Sequence, residues 1–125
     1  MPTSMTNTTD SILDTVKSFV NIPVDYDTTF DGDLIIFINS CLGVLAQIGV
    51  GSFNQQFKIT GSDETWADFM GSYENIEAAK EYVCLRTKIT FDPPQSSAVM
   101  EQMKEIIKED FFRISVSVDP GDPIE

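Results

Sequence analysis

Apolar residues between positions 74 and 114 recur at spacings of three and four, the period of an amphipathic helix. Ile76, Ala79, Val83 and Thr87 form one stripe, and Ala78, Tyr82, Leu85 and Ile89 form a second beside it. Two adjacent stripes give a face wide enough for two neighbours, so a helix over 74–91 is predicted to lie between other elements. Val99, Met100, Met103, Ile106, Ile107, Phe111 and Ile114 share one side of a second predicted helix over 95–114, with Glu101, Lys104, Glu105, Lys108 and Glu109 on the other. Asp92, Pro93 and Pro94 separate the two. Prolines have no N–H to donate, and a residue before proline is driven out of the helical region. The triplet is expected to be a structural hinge that ends one helix sharply and fixes the exit direction of the next, with Ser96 or Ser97 as its cap.

The pattern elsewhere predicts three more elements. Ile12, Leu13, Val16, Phe19 and Val20 lie on a short helix opened by Thr9 or Asp10 and ended by Asn21-Ile-Pro. The run Leu34–Ile48 is apolar on nearly every side, as in a helix central to a domain or buried against another chain. Gly49 is placed to end it. Trp66, Phe69 and Met70 anchor a helical turn or two over 65–70. Phe53, Phe57 and Ile59 alternate around Gln55, which predicts an extended arm or hairpin strand near 53–60. A lone hairpin is marginal in water, so Phe53, Phe57 and Ile59, with Trp66, are candidate subunit-interface residues. Residues 1–8 are polar and expected to fray. Asp119, Pro120, Asp122 and Pro123 deny a helix to the end of the chain, and an extended, flexible tail is expected over 115–125. The fold class is mainly α: one domain over 1–125, a small bundle of about four helices.

Composition narrows the function. Eight basic residues stand against 20 acidic ones, for a net charge of −12. A face built to grip nucleic acid needs clustered Lys and Arg, so the charge instead suits a surface that DNA slides past, a DNA mimic, or plain solubility. The absence of histidine removes the commonest general base and transition-metal ligand. Cys41 and Cys84 fall on predicted buried helix faces and suggest reduced core thiols, not a nucleophile or a zinc site. Asp27-x-Thr29-x-Asp31-Gly32 begins like a calcium loop, but Ile38 holds the twelfth position, where a bidentate Glu belongs. The segment is read as a solvated loop whose last aspartates cap the next helix. The 15 residues of Leu34–Ile48 include Asn39, Ser40 and Gln47, too short and too polar a stretch to span a bilayer. No enzymatic constellation and no cofactor site emerges.

The order and spacing of several segments resemble the head-to-tail connector (head completion, neck adaptor) proteins of tailed bacteriophages. The segments are Ser11-Ile-Leu-Asp-Thr-Val-Lys, Phe30-Asp-Gly-Asp-Leu-Ile-Ile-Phe-Ile-Asn-Ser and Leu45-Ala-Gln-Ile-Gly-Val-Gly. They continue with Thr65-Trp66 and Phe69, then Phe91-Asp-Pro-Pro-Gln-Ser-Ser and Met103-Lys-Glu, so that residues 11–114 are covered. The resemblance implies a helical subunit of the virion neck, assembled in the host cytoplasm. It implies a homo-oligomeric ring, commonly of twelve subunits, under the portal protein. Such a ring meets the next neck or tail component and lets DNA pass without specific binding; no catalysis, cofactor or membrane is implied. Family C-terminal regions often engage the portal, which makes Val116, Val118, Asp119, Pro120 and Ile124 candidate contacts to the portal or a neighbouring subunit. The alternative is an acidic DNA-mimic or regulatory interaction protein, whose charges would fall in rows. Here Glu101, Glu105 and Glu109 alternate with lysines.

Overall fold

A computed structural model describes residues 10–24, 27–50, 57–71 and 75–118. Five helices make up the fold among them: α1 (Ile12–Phe19), α2 (Asp31–Gln47), α3 (Trp66–Met70), α4 (Ile76–Phe91) and α5 (Ser97–Val118). No strand forms among these residues. The only pairing of strand type is an isolated antiparallel bridge between Ser11 and Thr65.

The helix ends follow local chemistry. Ser11 caps α1, its Oγ accepting from the Asp14 N–H at 3.2 Å. Thr65 and Asp68 form a reciprocal capping box on α3, each side chain accepting the other's backbone N–H at 3.0 Å. Such a box satisfies two N–H groups that the helix itself leaves unpaired. α2 starts differently from the expectation. Phe30 occupies its N-cap with no side-chain bond, and Asp31 and Asp33 already lie in the first turn. There their charge complements the positive end of the helix dipole instead of capping it. Past the end of α2, Gly49 has φ of 110°, a conformation that costs glycine little and other residues much.

α4 is the hub. It packs against each of the other four helices, while α2 and α5 lie against different parts of it and make no extended contact with each other. The double stripe explains this position: Ala78, Ala79, Tyr82, Val83, Cys84, Leu85 and Thr87 are all buried. α1, α2 and α3 close the core around Ile12, Val16, Leu34, Ile38, Leu42, Leu45, Trp66 and Phe69. Trp66 is buried with its polar end satisfied, Nε1 donating to Thr15 Oγ1 at 3.1 Å.

α2 is not apolar-buried all round. Leu34, Ile38, Cys41, Leu42 and Leu45 face inward, whereas Ile36, half a turn away, is 66% exposed. The extended tail expected from residue 115 is likewise corrected, because α5 continues through Val118. Nothing before Asp119 forbids a helix; the first stop is the Asp119-Pro120 pair, and a proline restricts the residue before it. Ser117 donates its hydroxyl to the Ile114 carbonyl at 2.9 Å inside this last turn.

Candidate assembly surface

α4 and α5 run antiparallel across the turn at Asp92, Pro93 and Pro94. Arg86 lines the same groove as Ile107, and the Tyr82 and Phe111 rings lie 5.8 Å apart. The Asp92 N–H closes the last turn of α4 on the Lys88 carbonyl at 2.8 Å, and its carboxylate meets Lys88 Nζ at 2.8 Å. Ser96 then accepts the Val99 N–H at 3.3 Å and opens α5. Asp92 thus closes α4, and Ser96, two residues past Pro94, opens α5.

α5 is 22 residues long and packs chiefly on α4. Among the described residues it buries only a narrow stripe. Asp110 and Ile114 are buried, and Met100, Met103, Ile107 and Phe111 are half-buried. Val99, Ile106, Phe112 and Val116 stay exposed, Phe112 at 69% and Val116 at 53%. On one flank α4 and α5 enclose an open groove of about 550 Å³, formed by Tyr82, Ile107, Phe111, Phe112 and Ser115 with Arg86 and Lys108 beside them. Arg86 is held in place by its bond to the Tyr82 hydroxyl at 3.0 Å.

Asp110 lies between the helices at 1% exposure, and no donor reaches its Oδ2. Desolvation and the adjacent Glu81 push its pKa from 3.8 to about 7, Arg113 pulling the other way and Glu109 adding to the rise. Glu81 also lines an open groove of about 440 Å³ with Thr15, Phe19, Lys80, Cys84 and Arg113. Among the described residues no group of three acidic or cysteine side chains could hold a metal ion, and no helix is long and apolar enough to cross a membrane.

The residues singled out as interface candidates fall in different places. Ile59 and Trp66 are each 1% exposed, inside the subunit's own core. Phe57 is half-buried, its ring 5.3 Å from that of Phe69. Phe53 lies outside the described residues, as do Asp119, Pro120 and Ile124. Val116 stands on the outside of α5 as a helical residue, and Val118 ends that helix. Among the described residues the large apolar side chains left exposed are Val99, Ile106, Phe112 and Val116 on α5, Ile36 on α2, Phe30 just before it and Phe19 on α1.

Three structural residues escaped the sequence pattern. Lys17 is buried at 2% exposure and bridges α1 to the start of α2. Asn39 ties α2 to the segment at Ile59. Asp110 breaks the apolar side of α5. Each is a polar residue whose partner is distant in sequence, so periodicity carries no sign of it. The Thr65-x-x-Asp68 box, by contrast, was readable from its spacing.

No curated protein and no solved structure matches the chain. A family model does, that of the phage connector protein, over residues 12–121. That span takes in all five helices, the hinge turn and both sides of the groove, and the chain therefore belongs to the phage connector protein family.

Proposed function

We propose that this phage structural connector forms a ring beneath the portal that joins capsid to tail and extends the channel for DNA. The observation that carries the proposal is α5, a 22-residue helix that packs chiefly on α4 and leaves large apolar side chains exposed among the described residues. Its exposed Phe112 and Val116 and the groove beside them give a subunit apolar surface that a partner can cover. Exposed apolar patches on small soluble domains mark contact sites. The excess of acidic side chains supports a conduit that does not grip DNA. In this reading the subunit assembles in the host cytoplasm and ends in the neck of the virion, between the portal and the next neck or tail component. Twelve copies would match a twelve-fold portal.

The charge pattern gives the DNA-mimic alternative no support. Lys104 and Lys108 lie 3.9 Å and 3.8 Å from Glu101 and Glu105 and interrupt any acidic row. The test is a size measurement on the purified subunit mixed with the portal ring of the same phage. A ring-shaped addition to the portal, seen as a mass increase and by electron microscopy, is the expected result. A subunit that leaves the portal's mass unchanged and whose absence leaves infectious particle yield intact overturns the reading.

A further inference from the structure

We propose that neighbouring copies of this chain meet head to tail, the outer face of α2 of one copy seating Ile36 in the groove between α4 and α5 of the next. The inference rests on the ring reading and names the contact that builds the ring. A closed ring needs a heterologous interface, two different patches on one subunit that complement each other. The fold supplies two. Ile36 projects from α2 opposite the buried row Leu34, Ile38, Cys41 and Leu45. On the same outer face Gly32 and Gly43 have open space where a Cβ would stand, so Ile36 rises from a low surface. The groove lies on the α5 side of α4, and α2 and α5 share no extended contact. One subunit thus presents the knob and the socket on different sides, and cannot fill its own.

Charge selects the same pairing. The chain has only eight basic residues, and two of them, Arg86 and Lys108, rim this apolar groove. On α2 the residue three places ahead of Ile36, Asp33, is acidic and exposed. An apolar knob with a carboxylate beside it fits an apolar socket with cations at its rim. A groove-to-groove contact would set Arg86 and Lys108 against their own copies, and a knob-to-knob contact would set Asp33 against Asp33. Such like-charge juxtapositions are disfavoured. Two cations on an apolar floor are too few for a nucleic-acid track.

The test is cross-linking of the full chain with Ile36 and Phe112 left in place. Ser40 is exposed on α2 one turn from Ile36, and Ser115 lines the groove. Ser40→Cys and Ser115→Cys are made singly and together, Cys41 and Cys84 being buried, and the proteins are oxidised at high concentration. The expected result is a ladder of disulfide-linked multimers from the double variant and a dimer from the mixed single variants. Ile36→Asp or Lys108→Glu in the double variant should cut the ladder about tenfold, and Asp33→Lys should restore it in the Lys108→Glu background. Homodimers of a single variant as the main product, or no ladder at any concentration, overturn the proposal. If the ladder fails while the subunit still adds a ring to the portal, the ring reading stands and this contact is wrong. If the subunit leaves the portal's mass unchanged and its absence leaves infectious particle yield intact, the ring reading falls by its own test.

Discussion

Asn39 holds Ile59 by both of its backbone groups: the side-chain Nδ2 donates to the Ile59 carbonyl at 3.1 Å, and Oδ1 accepts the Ile59 N–H at 2.8 Å. The amide does for this segment what a neighbouring strand would do, and it does so from the middle of a helix. With its backbone satisfied, the non-helical segment can carry Ile59 into the core. Asn39→Ala removes both bonds and leaves a buried N–H with no acceptor. The expected loss is about 1–3 kcal/mol in urea unfolding, with faster hydrogen exchange at Ile59. An unchanged exchange rate at that amide would show that the clamp does not govern the segment.

Lys17 is the corresponding tie for the loop before α2. Its Nζ lies 2.8 Å from Asp31 Oδ1 and donates to the Asp27 carbonyl, also at 2.8 Å. The lysine is closed off and Asp31 is partly open, so truncating the lysine strands a shielded carboxylate. Lys17→Ala should destabilise the fold by roughly 3 kcal/mol. Lys17→Ala combined with Asp31→Ala should recover part of that loss, and a fully additive double variant would mean that the two charges do not interact.

Asp110 sets a pH dependence. Its folded pKa, about 7, lies above its ordinary value of 3.8, so between those values the folded chain holds a proton that the unfolded chain has released. Stability from this group is therefore unpenalised below about pH 4, falls as pH rises to about 7, and is level above that. Asp110→Asn keeps the shape and removes the proton. It should gain about 1–3 kcal/mol at pH 8 and flatten the curve between pH 4 and 7. A variant with the parent's pH profile would show that Asp110 is ionised at no cost.

Both thiols should be slow to react. Burial raises the Cys41 pKa, and burial first among the causes pushes Cys84 up to about 12. The thiolate is the reactive form. Labelling with an aromatic disulfide at pH 8 should run about 100-fold slower in the native protein than in urea. Labelling as fast as in urea would place a thiol at the surface.

Pro93→Ala with Pro94→Ala should lower the melting temperature and portal joining together, because the prolines shorten the turn and fix the direction of α5. Loss of portal joining with an unchanged melting temperature would make them contact residues instead.

The sequence by itself determined the helices and their rank. A double apolar stripe over Ile76–Ile89 can be satisfied only between neighbours, and α4 is the hub. A residue before proline is driven out of the helical region, and α4 stops at Phe91, one residue before Asp92-Pro93-Pro94. The order of the segments was enough to suggest the connector family before any coordinates. Spacing did not show what α5 leaves uncovered. Val99 and Ile106 carry the same periodic signal as Ile114, yet Ile114 is buried and they are exposed, because α5 packs chiefly on α4. Nor did alternation at Phe57 and Ile59 tell an arm from an anchor; the Asn39 amide decides that, from 20 residues away. The helix in place of the expected tail over 115–118 follows from local chemistry, since none of Ser115, Val116, Ser117 and Val118 is a proline or a glycine. Periodicity reports which side of an element is apolar. How much of that side is covered depends on how many neighbours the tertiary structure places there, and partners such as Lys17–Asp31 and Asn39–Ile59 meet only after the chain has folded.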